Sequence, residues 1–479
     1  MRAQLGWIPV MDNTTVVIIT LVVYKALLIA IGFWASSRTR SEEDFFLGGR
    51  KLGPVVAAVS YSSSASSAWT LLGLSGAAYV LGVSVVWIAA GSFIGMLVAW
   101  FWIAPRLMAF SRRHDHLTLT EILAHDTSGG LRRAIVITVS VIVIFSFVFY
   151  VAAQFQAAGN TFVSTFDMSM ANAIIIGALI IMFYTLLGGF WAVSVTDTLQ
   201  GLLMAFTALL LPLAALAEVG GVDGFVEGLR AVSTPAQLSW TASNAGLLAI
   251  GVIVGSLSIG FGTYGQPHLL VRFMALRDEQ AMRQARVITI AWYGVVFSGM
   301  CFLGLVGHVL HASVSNPETV FFVLTQSLFT PLLGSILLAA VLSAIMSTAD
   351  SQLLVAASAI AHDLGLGREH PQRKLLVSRL TIVGLVLVAV LVALFLPEKI
   401  FSRVLFAWSA LGAAFGPTLF FRLVGARIKP GGVWLAILLG FGLSVLFYLL
   451  PNTPGDILER LVPFASGVVV LLFSRQRST

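Results

Sequence analysis

Charge is what this chain has least of. Only 10% of its 479 residues are Asp, Glu, Lys or Arg, against about 25% in a soluble domain, so too little polar surface exists to wrap a water-facing globule of this size. Cysteine is nearly absent: Cys301 stands alone, which excludes an intrachain disulfide and leaves the redox compartment unread. No His-Glu-x-x-His occurs, nor a pair of Gly-Asp acids of the intramembrane-protease kind. Metal hydrolysis therefore lacks its ligands, and no enzyme is expected. Long hydrophilic segments are missing too. The longest connection on one face runs from Glu218 to Thr241, and only a short tail follows Leu472, which argues against a transporter-shaped sensor with an appended signalling domain. Met1 to Asn13 carries one Arg and no small-residue cleavage pattern, so the first apolar run is expected to stay in the mature chain.

What fills the chain is apolar sequence, 58% of it, in runs near the ~20 residues that cross a bilayer. We read thirteen spans, near 14–36, 54–80, 83–104, 134–160, 170–187, 191–218, 245–265, 287–312, 329–360, 377–396, 402–421, 431–450 and 459–474. The formal charge of +7 does not indicate nucleic acid, because the basic residues sit in short loops between spans. Of 28 Lys and Arg, 22 share a side with the C-terminus, five lie on the other face, and Lys25 falls inside a span. By the positive-inside rule the expected topology is N-terminus outside and C-terminus cytoplasmic, in a cell inner membrane. Membrane lipid is then the expected surrounding, with a small-molecule substrate and no obligate protein partner evident.

Two spans contain stretches that a lipid-facing helix would avoid. The second holds six serines in the eight residues Ser60 to Ser67, before Ala68 and Trp69. The seventh reads Gly255-Ser256-Leu257-Ser258-Ile259-Gly260-Phe261-Gly262-Thr263-Tyr264-Gly265-Gln266-Pro267. Glycine is a poor helix former, and serine competes for backbone hydrogen bonds. Unwound backbone at membrane depth survives only beside protein or a water-filled cavity. Each stretch opens a five-span set, 54–218 and 245–421, and an odd number of spans inverts the second set relative to the first. Paired interruptions in inverted repeats point to a midplane binding site. The alternative is that small residues simply let helices pack closely.

Span nine adds a polar stripe. Ala344, Ser347, Thr348 and Ser351 stand at i, i+3, i+4 and i+7 and so share one face. Neutral hydroxyls, with unwound carbonyls opposite, suit a cation that must leave as well as enter. Asp350 is an acid within an apolar span, which marks function by default. Asp197 stands at or just inside the start of span six, where helix cap and ion path are both open readings. Lys25 lies in a span outside the two repeats and reads as a snorkelling or interhelix contact.

Ordered motifs run through nearly the whole chain: Phe46-Leu47-Gly48-Gly49-Arg50 with Leu52-Gly53-Pro54, Tyr184-Thr185-Leu186-Leu187-Gly188-Gly189-Phe190 into Thr196-Asp197, Tyr264-Gly265-Gln266-Pro267-His268 with Arg272-Phe273-Met274-Ala275, Met346-Ser347-Thr348, and Phe406-Ala407-Trp408 to Gly416-Pro417. In these the chain resembles the sodium:solute symporter family, most of all its bacterial sodium/proline permeases. The resemblance implies an all-α integral membrane fold of about thirteen helices. Its core would be a five-plus-five inverted repeat (LeuT-like) with helices 2 and 7 broken, an extra helix at 14–36 and two more at 431–474, all in a single domain. It implies a sodium ion held by backbone oxygens of Ser63, Ser66 and Ala344 and by the hydroxyls of Ser347 and Thr348. Asp197, Asp350 and Ser351 would serve a second sodium or a gate. Ser64, Ser67, Trp69, Tyr150, Ile259 and Thr263 are the expected solute-binding residues. Three positions depart from the permease pattern: Ala65 replaces an aspartate, and Ile259 and Thr263 replace a tryptophan and a tyrosine. The expected activity is sodium-coupled symport of an amino acid such as proline. The alternatives are another amino acid or an organic acid, or proton coupling through Asp197 and Asp350.

Overall fold

The computed structural model describes residues 13–36, 44, 47–187, 189–365, 371–396 and 398–476. Phe46, Gly188, Arg2, Arg38, Arg40, Arg368 and Arg477 lie outside the described residues. Among those described there is no strand, only two isolated bridges. Helices cover each of the thirteen expected spans: α1 (Asn13–Ser36), α2 (Pro54–Ala68), α3 (Val86–Val98), α4 (Gly129–Val163), α5 (Met170–Leu187), α6 (Phe190–Glu218), α7 (Gly246–Leu257), α8 (Glu279–Leu310), α9 (Pro331–Ser358), α10 (Pro371–Phe395), α11 (Ile400–Leu423), α12 (Pro430–Tyr448) and α13 (Val462–Phe473). Ten helical segments are long and apolar enough to cross a membrane, and one of them, Pro54–Arg113, holds both the second and the third span.

Burial sorts these helices into centre and periphery. The most apolar stretch of α9 is 78% buried and that of α11 83%, against 17% for α1. The centre is therefore α9 and α11 with α2, α4, α6 and α8 around them, while α1 lies outside against α6 and α9.

Both expected interruptions exist, in different forms. Pro54 opens α2 at a position where its missing N–H costs nothing. The helix then breaks at Ser67, whose φ of 52° and ψ of −172° are non-helical. A left-handed φ on a non-glycine residue costs on the order of 1–3 kcal/mol and persists only where the surroundings impose it. Beyond it the chain continues as a wide turn over Trp69–Leu74 and a short helix over Ser75–Leu81. In the seventh span α7 tightens into a 3-10 stretch over Ser258–Gly265. Eight residues is unusually long for that poorer hydrogen-bond geometry. Gln266 is extended, and a new helix runs over Pro267–Ala275.

The glycines of this region also serve the close packing raised as the alternative. A Cβ on Gly260 would lie 2.4 Å from the Gly91 carbonyl oxygen, and one on Gly95 2.5 Å from that of Gly260. Span three and the 3-10 stretch thus meet backbone to backbone, as small residues permit in a bilayer. Gly260→Val should force them apart and destabilise the protein by about 1–3 kcal/mol, read as a lower melting temperature in detergent; an unchanged melting curve would show that the contact has slack.

Candidate cation and solute site

The serine run of α2 faces protein along its whole length: Ser60, Ser62, Ser63, Ser64, Ser66 and Ser67 have no exposed surface. Each hydroxyl left in apolar surroundings without a partner would cost about 1–3 kcal/mol, so their partners reveal what the run is for. Ser62 donates to the carbonyl of Ala58 one turn back. Ser60, Ser63 and Ser64 reach across helices.

Against α9, Ser64 Oγ donates to the Ser347 carbonyl at 2.9 Å, and Thr348 Oγ1 donates to the Ser64 carbonyl at 3.0 Å. Ser347 Oγ turns to the Ala344 carbonyl at 3.3 Å. Ser63 Oγ donates to the carbonyls of Ser60 and Asp197 at 3.2 and 3.3 Å, while Ser66 Oγ is buried without a partner. The fold therefore brings Ser64 of the broken helix against Ser347 and Thr348, with the Ala344 carbonyl one turn back, while Ser63 turns to α6. This is a dense patch of neutral oxygens, the donor class that a hard monovalent cation takes in place of water.

Beside it lies a charged knot. Arg272, on the helix after the 3-10 stretch, is 1% exposed. Its Nη2 donates to Asp197 Oδ2 at 2.7 Å and to Ser64 and Ser351 Oγ at 2.8 Å each, and its Nε donates to Ser60 Oγ at 2.8 Å. Asp197 is not the cap of α6, since the N-terminal flanking residue is Gly189 and the carboxylate looks inward to α2 and Arg272. Asp350 is also fully buried. Among the described residues neither of its carboxylate oxygens has a hydrogen-bond partner. Two of the three residues expected at a second sodium, Asp197 and Ser351, thus bond a guanidinium, which the sequence reading did not foresee although Arg272 stood in a quoted motif.

The break at Ser67 frees backbone groups, and side chains take them up. Trp69 N–H donates to Ser67 Oγ at 3.1 Å, Tyr150 OH donates to the same oxygen at 3.4 Å, and Ala68 N–H donates to Gln154 Oε1 at 3.2 Å. Next to the break is a narrow cavity of about 20 Å³ lined by Ala65, Trp69, Tyr150, Ile259, Thr263 and Trp408, with Ser92, Tyr293, Phe297, Val404 and Leu405 completing the wall. Four of the six expected solute-binding residues line it. Ser64 belongs to the Arg272 knot instead, and Ser67 serves the break. Trp408, Tyr293, Phe297 and Ser92 were not expected there; Trp408 donates to the Ile259 carbonyl at 3.1 Å, so it braces the 3-10 stretch. The volume suits a water molecule, so a solute must part these walls.

Both ends are closed by contacts that can separate. On one side Trp69 stacks on Phe401, centroids 6.0 Å apart. Glu318 caps the start of α11, accepting from the N–H groups of Ile400 and Phe401 at 3.1 and 2.9 Å. On the other side, Thr118 donates to Asp363 at 2.8 Å and His362 pairs with Glu121 at 3.1 Å, tying the loop after span three to the end of span nine. His116 sits in this latch, 3.1 Å from His125.

Comparison with known proteins shows the family and the fold. The model of the sodium:solute symporter family matches residues 45–440. The osmoregulated proline transporter OpuE of Bacillus subtilis (strain 168) is 34% identical over 433 residues, 88% of this chain and 87% of its own. A sodium/proline symporter of Staphylococcus aureus (strain JH9) is 34% identical over 427 residues, 86% and 82% of the two chains. Among solved structures, a Na+-coupled sialic acid symporter in a substrate-bound outward-open state superposes with a TM-score of 0.79 at 16% identity, covering 98% of this chain and all (100%) of that one. Mhp1, a nucleobase-cation-symport-1 family transporter, gives 0.58 at 15% identity over 91% and 94%. These likenesses establish the fold.

Two outcomes follow. Arg272→Ala leaves Asp197 as a buried charge without its partner and should cost about 3–5 kcal/mol, lowering the melting temperature far more than Ser347→Ala does. At the latch, burial pushes His116 down from 6.5 to about 4. Burial works to raise Glu121, but bonds from His362 and the Leu117 N–H outweigh it and hold it below 4.5. The closed form therefore keeps His116 neutral while the unfolded chain binds its proton, so the His116 contribution to stability is lost as pH drops from 6.5 toward 4, while Asp363, raised by burial to about 6, works the other way; the Glu121 contribution stays until still lower pH. In melting curves at stepped pH, His116→Gln should lose less stability than the wild type between pH 6.5 and 4.

Proposed function

The chain belongs to the sodium:solute symporter family, and on that premise we propose that it is a sodium-driven carrier of a small amino acid, proline first, working by alternating access in a cell inner membrane with its N-terminus outside. The observation that carries this reading is the junction of α2 with α9, where Thr348 and Ser64 bond across helices beside an aromatic cavity. Backbone oxygens of Ser63, Ser66 and Ala344 and the hydroxyls of Ser347 and Thr348 would replace the water shell of sodium. The solute would lie against Trp69, Tyr150, Ile259 and Thr263. The repeats are then 54–218 and 245–421, with 14–36 and 431–474 outside the core.

Proline is favoured by two relatives named as proline transporters at 34% identity and by a wall rich in aromatic faces, which suit an apolar ring bearing a secondary ammonium. One observation favours a second reading within the same mechanism. Ala65 lines the cavity where the permeases carry an aspartate, and Ile259 and Thr263 stand where they carry aromatics, so a bulkier amino acid or an organic acid would find more room and less negative charge.

In proteoliposomes, proline uptake should require an inward sodium gradient. Equal uptake in choline, or uptake driven by a pH gradient alone, would sink sodium coupling. Ser347→Ala and Thr348→Ala should each raise the half-saturating sodium concentration by roughly tenfold, since a bond to a charged group is worth about 1.5–3 kcal/mol, without lowering protein abundance.

A further inference from the structure

Among the described residues, α1 is the most lipid-exposed of the long apolar helices. Ile18, Ile19, Val22, Val23, Leu27, Ile29 and Phe33 all face outward. Yet one stripe of it is polar and turned inward. Tyr24 OH bonds Ser343 Oγ, and the Lys25 ammonium is directed at Met346 Sδ. A thioether is a weak acceptor, and an ammonium held at this depth needs a counter-charge or a route to water. Lys25 is half-buried among helices.

The partner it lacks stands one turn further along. Ser343, Met346 and Asp350 are at i, i+3 and i+7 of α9 and share the face that receives Tyr24 and Lys25. Four residues of helix rise about 6 Å, within the reach of a lysine stem. The other acid nearby, Asp197, already holds Arg272. Among the described residues neither oxygen of Asp350 has a hydrogen-bond partner. An acid without a partner and an ammonium without an acid thus occupy one face of one helix junction. Asp350 directly follows Ala349, and Ser347 and Thr348 precede it.

We propose that Lys25, on the helix outside the two repeats, is the counter-charge of Asp350 and thereby sets how strongly the adjoining hydroxyl site holds sodium. This rests on the reading of that site as the sodium site. With both charges present, the field at Ser347 and Thr348 is near balance. Removing the ammonium leaves a bare carboxylate beside the cation, which binds more tightly and is released more slowly. Removing the carboxylate leaves a bare ammonium, which repels the cation. A unit charge about 10 Å away, at an effective dielectric near 20, changes a binding constant by roughly tenfold.

The test is a sodium titration of the melting temperature of purified protein, with choline chloride holding ionic strength constant, since a ligand of the native state raises apparent stability by mass action. Lys25→Met should lower the half-saturating sodium by about tenfold, Asp350→Asn should raise it by a similar factor, and the double variant should return near the wild type. Lys25→Arg, which keeps the charge, should stay close to the wild type. Should Asp350→Asn not fold, the contrast between Lys25→Met and Lys25→Arg decides alone. If the wild type responds to sodium but Lys25→Met titrates identically, or shifts no further than Lys25→Arg, the inference is overturned while the symport reading stands. If sodium does not stabilise the wild type at all, the symport reading fails, and this inference with it.

Discussion

An unpaired backbone group has no water to turn to inside a bilayer, and the centre of this protein is organised by that constraint. Breaking α2 at Ser67 is tolerable only because Gln154 and Ser67 itself accept the liberated N–H groups of Ala68 and Trp69, and because Thr348 reaches the Ser64 carbonyl. The break therefore dictates its neighbours. α4 must present Gln154 and Tyr150, and α9 must present hydroxyls. The result is a cluster of oxygens at membrane depth whose first duty is to satisfy the chain, and which in the proposed cycle an ion would borrow, because neutral donors release it again.

The same economy explains the buried charges. An isolated ion in apolar surroundings costs several kcal/mol even after relaxation, so Arg272 is tolerated only through its bonds, to the His268 carbonyl in its own helix and, across helices, to Asp197, Ser60, Ser64 and Ser351. The latter lie on three different helices. The guanidinium is thus a rivet joining α2, α6 and α9 to the segment after the seventh span, at the point where a rocking movement of one helix set against the other would have to hinge or part.

How much of this could be read from the sequence depended on periodicity. Span positions were legible because twenty apolar residues in a row have few other uses, and both interruptions were legible because glycine and serine clusters defeat a lipid-facing helix. The stripe at Ala344, Ser347, Thr348 and Ser351 followed from helical spacing alone. Partners contributed from a distance were not legible. Nothing in the local pattern of Arg272 says that it will fill the space between Asp197 and Ser351, since that depends on how the helix over Pro267–Ala275 docks. Ser64 was assigned to the solute for the same reason, because neighbours in a serine run differ only in direction. Tyr293 and Phe297 escaped notice because an aromatic on an apolar helix looks the same whether it faces lipid, core or cavity.

Charge balance links the site to its energy source. Asp197 and Arg272 cancel, and the hydroxyls and carbonyls of α2 and α9 are neutral. If Asp350 is likewise balanced by Lys25, the empty binding region has no net charge. In the proposed cycle the loaded carrier then bears one positive charge, that of sodium beside a zwitterion. The membrane potential supplies about 2.3 kcal/mol per 100 mV to that inward step and does no work on the empty return. Were Asp350 unbalanced, sodium would neutralise the loaded form, and the potential would act on the return of a negative site instead. Total work per cycle would be identical, but the voltage-sensitive step would move from delivery to reset. On that proposal the lysine of α1 would decide which half of the cycle the membrane potential drives.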